Sequence, residues 1–140
     1  MYIRCEHNQC AIVLGQTLEA VCGAYLDYAI KNPHDYRLFF EEARLLNIPR
    51  RREGPRPICE SRPNFDFAEK TAAQELGGTP ENHTLLALQM WALLHGTAMM
   101  LIARAIPDGH EEELKAVCRA GVKALIAVAR CRVPSSNPGD

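Results

Sequence analysis

From Thr84 to Ala103 the chain carries no Asp, Glu, Lys or Arg. A helix of about 20 apolar residues is long enough to cross a bilayer. Here Gln89, His95, Gly96 and Thr97 interrupt the run, and polar groups at bilayer depth are costly. The other helical segments are amphipathic in the manner of surface helices. The run therefore predicts a helix buried on most sides within a water-soluble bundle, with no membrane contact.

The rest of the chain is consistent with such a bundle. Its 140 residues suit one domain, and 47% apolar residues suffice for a core. The formal net charge of −1 pulls neither toward nucleic acid nor toward an anionic surface. No stretch alternates as a strand would, whereas apolar residues recur at steps of three and four.

These steps predict an all-α fold of five helices. The first spans residues 9–31, with Leu14, Leu18, Val21, Cys22, Tyr25, Tyr28 and Ala29 as its apolar positions, and ends at Asn32-Pro33 because a residue before proline is pushed away from helical angles. The second spans residues 34–46 and turns Tyr36, Phe39, Phe40, Ala43 and Leu46 inward. Residues 47–63 hold four prolines and five arginines and read as a long exposed loop. The third helix covers residues 64–76 and stops at Gly77-Gly78. Thr79-Pro80-Glu81-Asn82 then starts the fourth, with Thr79 as N-cap and Asn82 in the capping-box position. This helix is expected to reach Ile106, and the last to run from Asp108 or His110 to Cys131. Glu111, Glu112 and Glu113 at its start and Arg130 and Arg132 at its end match the helix dipole. The short connection makes the last two helices antiparallel neighbours. Residues 1–8 read as disordered or part of a helix, 9–132 as the folded domain, and 133–140 as a disordered tail.

Chemistry is sparse. The six cysteines, in a chain with no signal peptide, read as reduced cytoplasmic thiols, with Cys22 and Cys118 acting as small hydrophobes on helical stripes. Cys5, His7 and Cys10 offer three zinc-type ligands where a structural site takes four, so no metal and no cofactor are expected. No nucleophile, base and orienting group fall at a readable spacing, so there are no catalytic residues and no enzyme.

In the fourth helix Leu85, Leu88, Ala92, His95, Met99, Ile102 and Ile106 form one stripe, with Trp91 one turn before His95. His95 is then either a satisfied core residue or a ligand contact. Gly96 implies close approach of another helix, since glycine costs about 1 kcal/mol there relative to alanine. The last helix is rich in small residues, including Ala120, Gly121 and Ala124, and its apolar groups lie on more than one face. It is either the centre of a monomeric bundle or part of a homodimer, and the extra apolar face favours the homodimer.

The segments "WALLHGTAMMLIA", with Trp91, His95 and Gly96, and "AYLDYAIKNPHDYRLFF", residues 24–40, resemble the C-terminal domain of TetR-family transcriptional regulators, in the subgroup with a Trp, His, Gly signature. With the last helix the likeness spans most of residues 9–131. It implies a small, often apolar ligand held between the helices, and a dimer made as a four-helix bundle by the last two helices of each copy. Facing positions make Tyr25, Tyr28, Phe39, Trp91, His95 and Met99 the candidate ligand contacts, and Thr97, Leu101, Val117, Ala120, Gly121, Ala124 and Val128 the candidate dimer contacts. The same aromatic walls describe both a ligand cavity and an ordinary core. In that family a helix-turn-helix head precedes this domain. The segment "MYIRCEHNQC" is too short to hold one, so direct contact with nucleic acid is not expected of this chain, whether it is a fragment, a truncated frame or a stand-alone member. The alternative function is a helical dimer acting as a structural or interaction module without ligand.

Overall fold

The computed structural model describes residues 17–46 and 63–132, with side chains 41–46 and 63 excepted. The expectations for residues 1–16, for the 47–62 loop, for the 133–140 tail, for Cys5, His7 and Cys10, and for the side chains of Ala43 and Leu46 lie outside the described residues. Within them there are five α-helices and no strand: α1 (Leu18–Lys31), α2 (Pro33–Leu46), α3 (Pro63–Leu76), α4 (Thr84–Ile102) and α5 (Glu111–Arg132), with a 3₁₀ turn at Pro80–His83.

Local chemistry sets the ends. Thr17, in extended conformation, accepts the Ala20 N–H on its hydroxyl and starts α1 at Leu18, nine residues later than the periodicity suggested. Asn32 closes α1 by donating its backbone N–H and its side-chain amide to the Tyr28 carbonyl, while its own carbonyl accepts the Tyr36 N–H of α2. One residue thus ends one helix and begins the next, and Pro33 occupies the first position of α2, where its missing N–H is not needed. Pro63 does the same for α3. Gly77 and Gly78 carry φ of +85° and +78° and stop α3 as expected. Asn82 Oδ1 accepts the Thr79 N–H at 2.9 Å, which is the reciprocal half of a capping box.

α4 ends at Ile102, four residues short of expectation. The Arg104 N–H donates to the Leu101 carbonyl and the Ala105 N–H to the Met100 carbonyl, with Arg104 at φ +50°. This is the paired hydrogen-bond pattern that usually takes glycine at the left-handed position. Arg37 of α2 reaches across and donates to the Ile102 carbonyl at 3.1 Å.

α4 and α5 make the most extensive interhelical contact, and α1 lies across both. The core runs through Leu18, Cys22 and Leu26 of α1, Met90, Leu94 and Ala98 of α4, and Cys118, Val122 and Ile126 of α5. Each large apolar side chain sealed there contributes about 1.5–3 kcal/mol. The buried face of α4 is therefore not the stripe that the sequence suggested: Leu85 on that stripe is 56% exposed. α4 is apolar all round, so its periodicity carries little phase information.

Nor is α4 buried on most sides. Leu85, Ala92, Gly96 and Met100 are exposed, and the segment Pro80–Ile102 is long and apolar enough to cross a membrane by length and composition alone. A Cβ built on Gly96 would meet nothing within 4 Å among the described residues, so none of them makes the close approach expected there. It occurs at Gly121 instead, where a Cβ would stand 2.8 Å from Leu93 Cδ2.

Glu75 fastens three helices together. It accepts the Leu18 N–H at the start of α1 on one carboxylate oxygen and pairs with Arg130 of α5 at 2.8 Å through the other. Nearby, buried Glu69 accepts the Thr84 hydroxyl at 2.6 Å and joins α3 to the start of α4.

Candidate functional site

α1, α2, α3 and α4 leave between them a partly open cavity of about 190 Å³. The helical period decides what each element contributes. α1 presents Val21, Cys22 and Tyr25 over one turn, α2 presents Phe39 and Phe40 just beyond its second turn, and α4 presents Ala87, Met90, Trp91 and Leu94 at steps of three, one and three. α3 supplies Asn64, Phe65, Phe67 and Ala68 from its first turn and a half. Among the described residues, no side chain of the wall is charged.

Three expected ligand contacts, Tyr25, Phe39 and Trp91, stand on this wall. Tyr28 and Met99 do not; both pack at the edge of the core. His95 is one step removed from the cavity. Its Nδ1 lies 2.6 Å from the Tyr36 hydroxyl, which lies 2.8 Å from the Tyr25 hydroxyl. The chain Tyr25–Tyr36–His95 thus runs from the cavity wall through a fully buried tyrosine to α4. Burial holds the His95 pKa below its ordinary 6.5, which favours a neutral imidazole. Burial and the Tyr25 hydrogen bond push the Tyr36 hydroxyl well above the usual tyrosine range, so it stays protonated. A neutral imidazole and two phenols can pass hydrogen bonds in either direction, depending on the tautomer of His95. His95 is hydrogen-bonded and half-buried, and it meets the cavity wall through Tyr36.

Ring contacts knit the wall. Phe40 lies 4.1 Å from His95, 4.9 Å from Tyr36 and 5.2 Å from Phe39 between ring centroids. Trp91 lies 6.3 Å from both Phe40 and Phe65. The α3 contribution was missed by sequence reasoning. Phe65 and Ala68 fall three apart and share a face, a signal present in "NFDFAEK" but short enough to pass for chance. Cys22 was read only as core. It lines the cavity too, with burial raising its pKa to about 12 and keeping the thiol neutral.

The candidate dimer residues divide into two sets. Val117 and Val128 are 64% and 51% exposed, and Ala120 and Ala124 are exposed beside them, with Leu101 half-buried. Thr97 is 4% exposed and donates its hydroxyl to the Leu93 carbonyl. Thr97 is thus buried within α4, and half-buried Gly121 lies against Leu93 where α5 meets α4. Among the described residues no group of three or more His, Cys, Asp or Glu is placed to hold a metal, and Cys22, Cys118 and Cys131 are free thiols.

A family model described as the tetracyclin repressor-like C-terminal domain matches residues 18–125. Neither the curated proteins nor the solved structures give a match.

Proposed function

The chain belongs to the tetracyclin repressor-like C-terminal domain family, a family of transcriptional regulators rather than enzymes, and from that membership we propose that it is the ligand-sensing and dimerisation domain of such a regulator, working in the cytoplasm. The observation that carries this reading is the cavity of about 190 Å³ between α1, α2, α3 and α4, whose described wall residues carry no charge. A concave, mostly apolar wall with a few polar groups is the usual make-up of a small-molecule site. Contact with DNA belongs, on this reading, to a helix-turn-helix head of the kind that precedes such domains.

The second surface is the exposed apolar strip on α5, Val117, Ala120, Ala124 and Val128, with the exposed strip of α4 that includes Gly96 and Met100. A second copy covering these strips explains why α4 is apolar on faces that the described residues leave open.

Two measurements test the proposal. A library of small apolar compounds should contain members that raise the melting temperature, since a ligand that binds only the folded state stabilises it by mass action. If none does, the sensor reading loses its support. Sedimentation should show a dimer for the natural chain and a monomer for Val117→Asp; a monomer in both cases rejects the dimer.

A further inference from the structure

Three sulfur-bearing side chains share the core. Cys22 of α1, Met90 of α4 and Cys118 of α5 are 5%, 2% and 2% exposed and belong to one buried cluster. Cys22 Sγ lies 3.8 Å from Met90 Sδ. Cys118 is near enough to Cys22 that a negative charge on one would oppose a negative charge on the other. Both thiols are free, and both line a second cavity, of about 140 Å³, between α1, α4 and α5. A free cysteine usually serves a core as a small hydrophobe. Two of them on one cavity, with a thioether sulfur against the first, make a set with a chemistry of its own.

Thiolate and thioether sulfurs select soft cations, whereas hard ions take oxygen. A soft ion about 2.3 Å from each of three sulfurs in a plane would set its ligands about 4.0 Å apart. The Cys22–Met90 pair is already close to that separation. Two thiolates around a monovalent ion leave one net negative charge. Arg119 and Lys123, lining the same cavity, favour that charge, and Glu19, 4.0 Å from Lys123 Nζ, opposes it. We propose that Cys22, Cys118 and Met90 form a three-sulfur site for a soft monovalent cation, Cu(I) or its analogue Ag(I), entered through the cavity between α1, α4 and α5. On binding, each thiol gives its proton to solvent and its sulfur bonds the ion, which keeps its oxidation state. The site does not depend on the reading of the apolar cavity.

The experiment titrates the full chain, reduced and free of oxygen, with Ag(I) and with Cu(I) in competition with a chelator, following thiolate-to-metal absorption and melting temperature. Cys5, Cys10, Cys59 and Cys131 are changed to serine, which leaves Cys22 and Cys118 as the thiols present. One ion should bind per chain and raise the melting temperature. Cys22→Ala and Cys118→Ala should each weaken binding by about a hundredfold or more, and Met90→Leu, which keeps the volume, by about tenfold. X-ray absorption should find three sulfur neighbours on bound Cu(I), and Zn(II) should bind about a hundredfold more weakly or worse. Circular dichroism checks that each variant is helical. If the four-serine chain does not fold, the natural chain is compared with its own Cys22→Ala and Cys118→Ala variants, each of which should bind one ion fewer. An unchanged stoichiometry there, or no binding by a folded four-serine chain, overturns the site. Affinity undiminished by Met90→Leu, or a bound ion with two sulfur neighbours, overturns the three-sulfur assignment. Zn(II) bound as tightly as Cu(I) overturns the choice of a soft monovalent ion.

Discussion

The Tyr36 hydroxyl lies 2.6 Å from His95 Nδ1, so a side chain with no exposed surface ties α2 to the middle of α4. The same hydroxyl meets Tyr25 at 2.8 Å, and among the described residues no buried side-chain nitrogen or oxygen is left without a partner. Tyr36→Phe keeps the ring contacts with Phe40 and His95 but removes the hydroxyl from the centre of the chain. Two polar groups then each lose a bond, and the expected loss of stability is about 1–3 kcal/mol, measured by urea unfolding. A change below a few tenths would show that the two bonds contribute nothing net.

His95 gives a pH dependence of definite sign. Its pKa is lowered in the folded state by burial, so between that value and the ordinary 6.5 the unfolded chain binds more protons. The stability linked to neutral His95 is complete above 6.5 and is lost as pH falls through the lower folded value. NMR titration of the His95 ring should place its midpoint below 6.5 in the folded chain. A midpoint at or above 6.5 contradicts the burial argument.

Glu75 and Arg130 should differ in worth although they form one ion pair. The Arg130 side chain is 61% exposed and that of Glu75 18%, so the pair itself contributes on the order of 0–1 kcal/mol. Glu75 also caps α1 through the Leu18 N–H at 2.7 Å. Glu75→Ala should therefore cost about 1–2 kcal/mol and Arg130→Ala clearly less. A double-mutant cycle in urea separates the two terms, and equal single costs would remove the capping role.

Arg104 holds a glycine's place at φ +50°. Its side chain is exposed, so Arg104→Gly relieves the left-handed backbone at little cost in packing. The variant should gain up to about 1 kcal/mol, seen as a higher denaturant midpoint. Loss of stability would mean that the arginine side chain holds the α4–α5 turn.

These cases show why part of the molecule was legible in the sequence and part was not. Gly77-Gly78 and Asn32-Pro33 announce helix ends because paired glycines reach left-handed angles without steric cost and proline turns the residue before it away from helical angles. Arg104 sends no such signal, and α4 was read four residues too long. The face of α4 was misread for a different reason: with Leu, Met and Ala on every side, Leu85, Leu88 and Ala92 form as good a stripe as Leu86, Met90 and Leu94. Tyr25, Phe39 and Trp91 were legible as cavity residues because large aromatic groups on three helices must meet somewhere. The place of Tyr36 between Tyr25 and His95 depends on how α2 crosses α4, which is a tertiary fact.

The Asn32–Pro33 junction has a geometric consequence for the cavity. The ring of Pro33 fixes its φ and the peptide bond is planar, so the angle between α1 and α2 is concentrated in the φ and ψ of Asn32, −127° and 58°. Phe39 and Phe40 ride on α2 about 10 Å from that pivot. A rotation of roughly 6° at Asn32 would carry both rings by about 1 Å. The torsion angles of one asparagine thus set the slant at which α2 brings Phe39 and Phe40 to the cavity, and Tyr36, bonded to Tyr25 and His95, and Arg37, bonded to the Ile102 carbonyl, hold that slant.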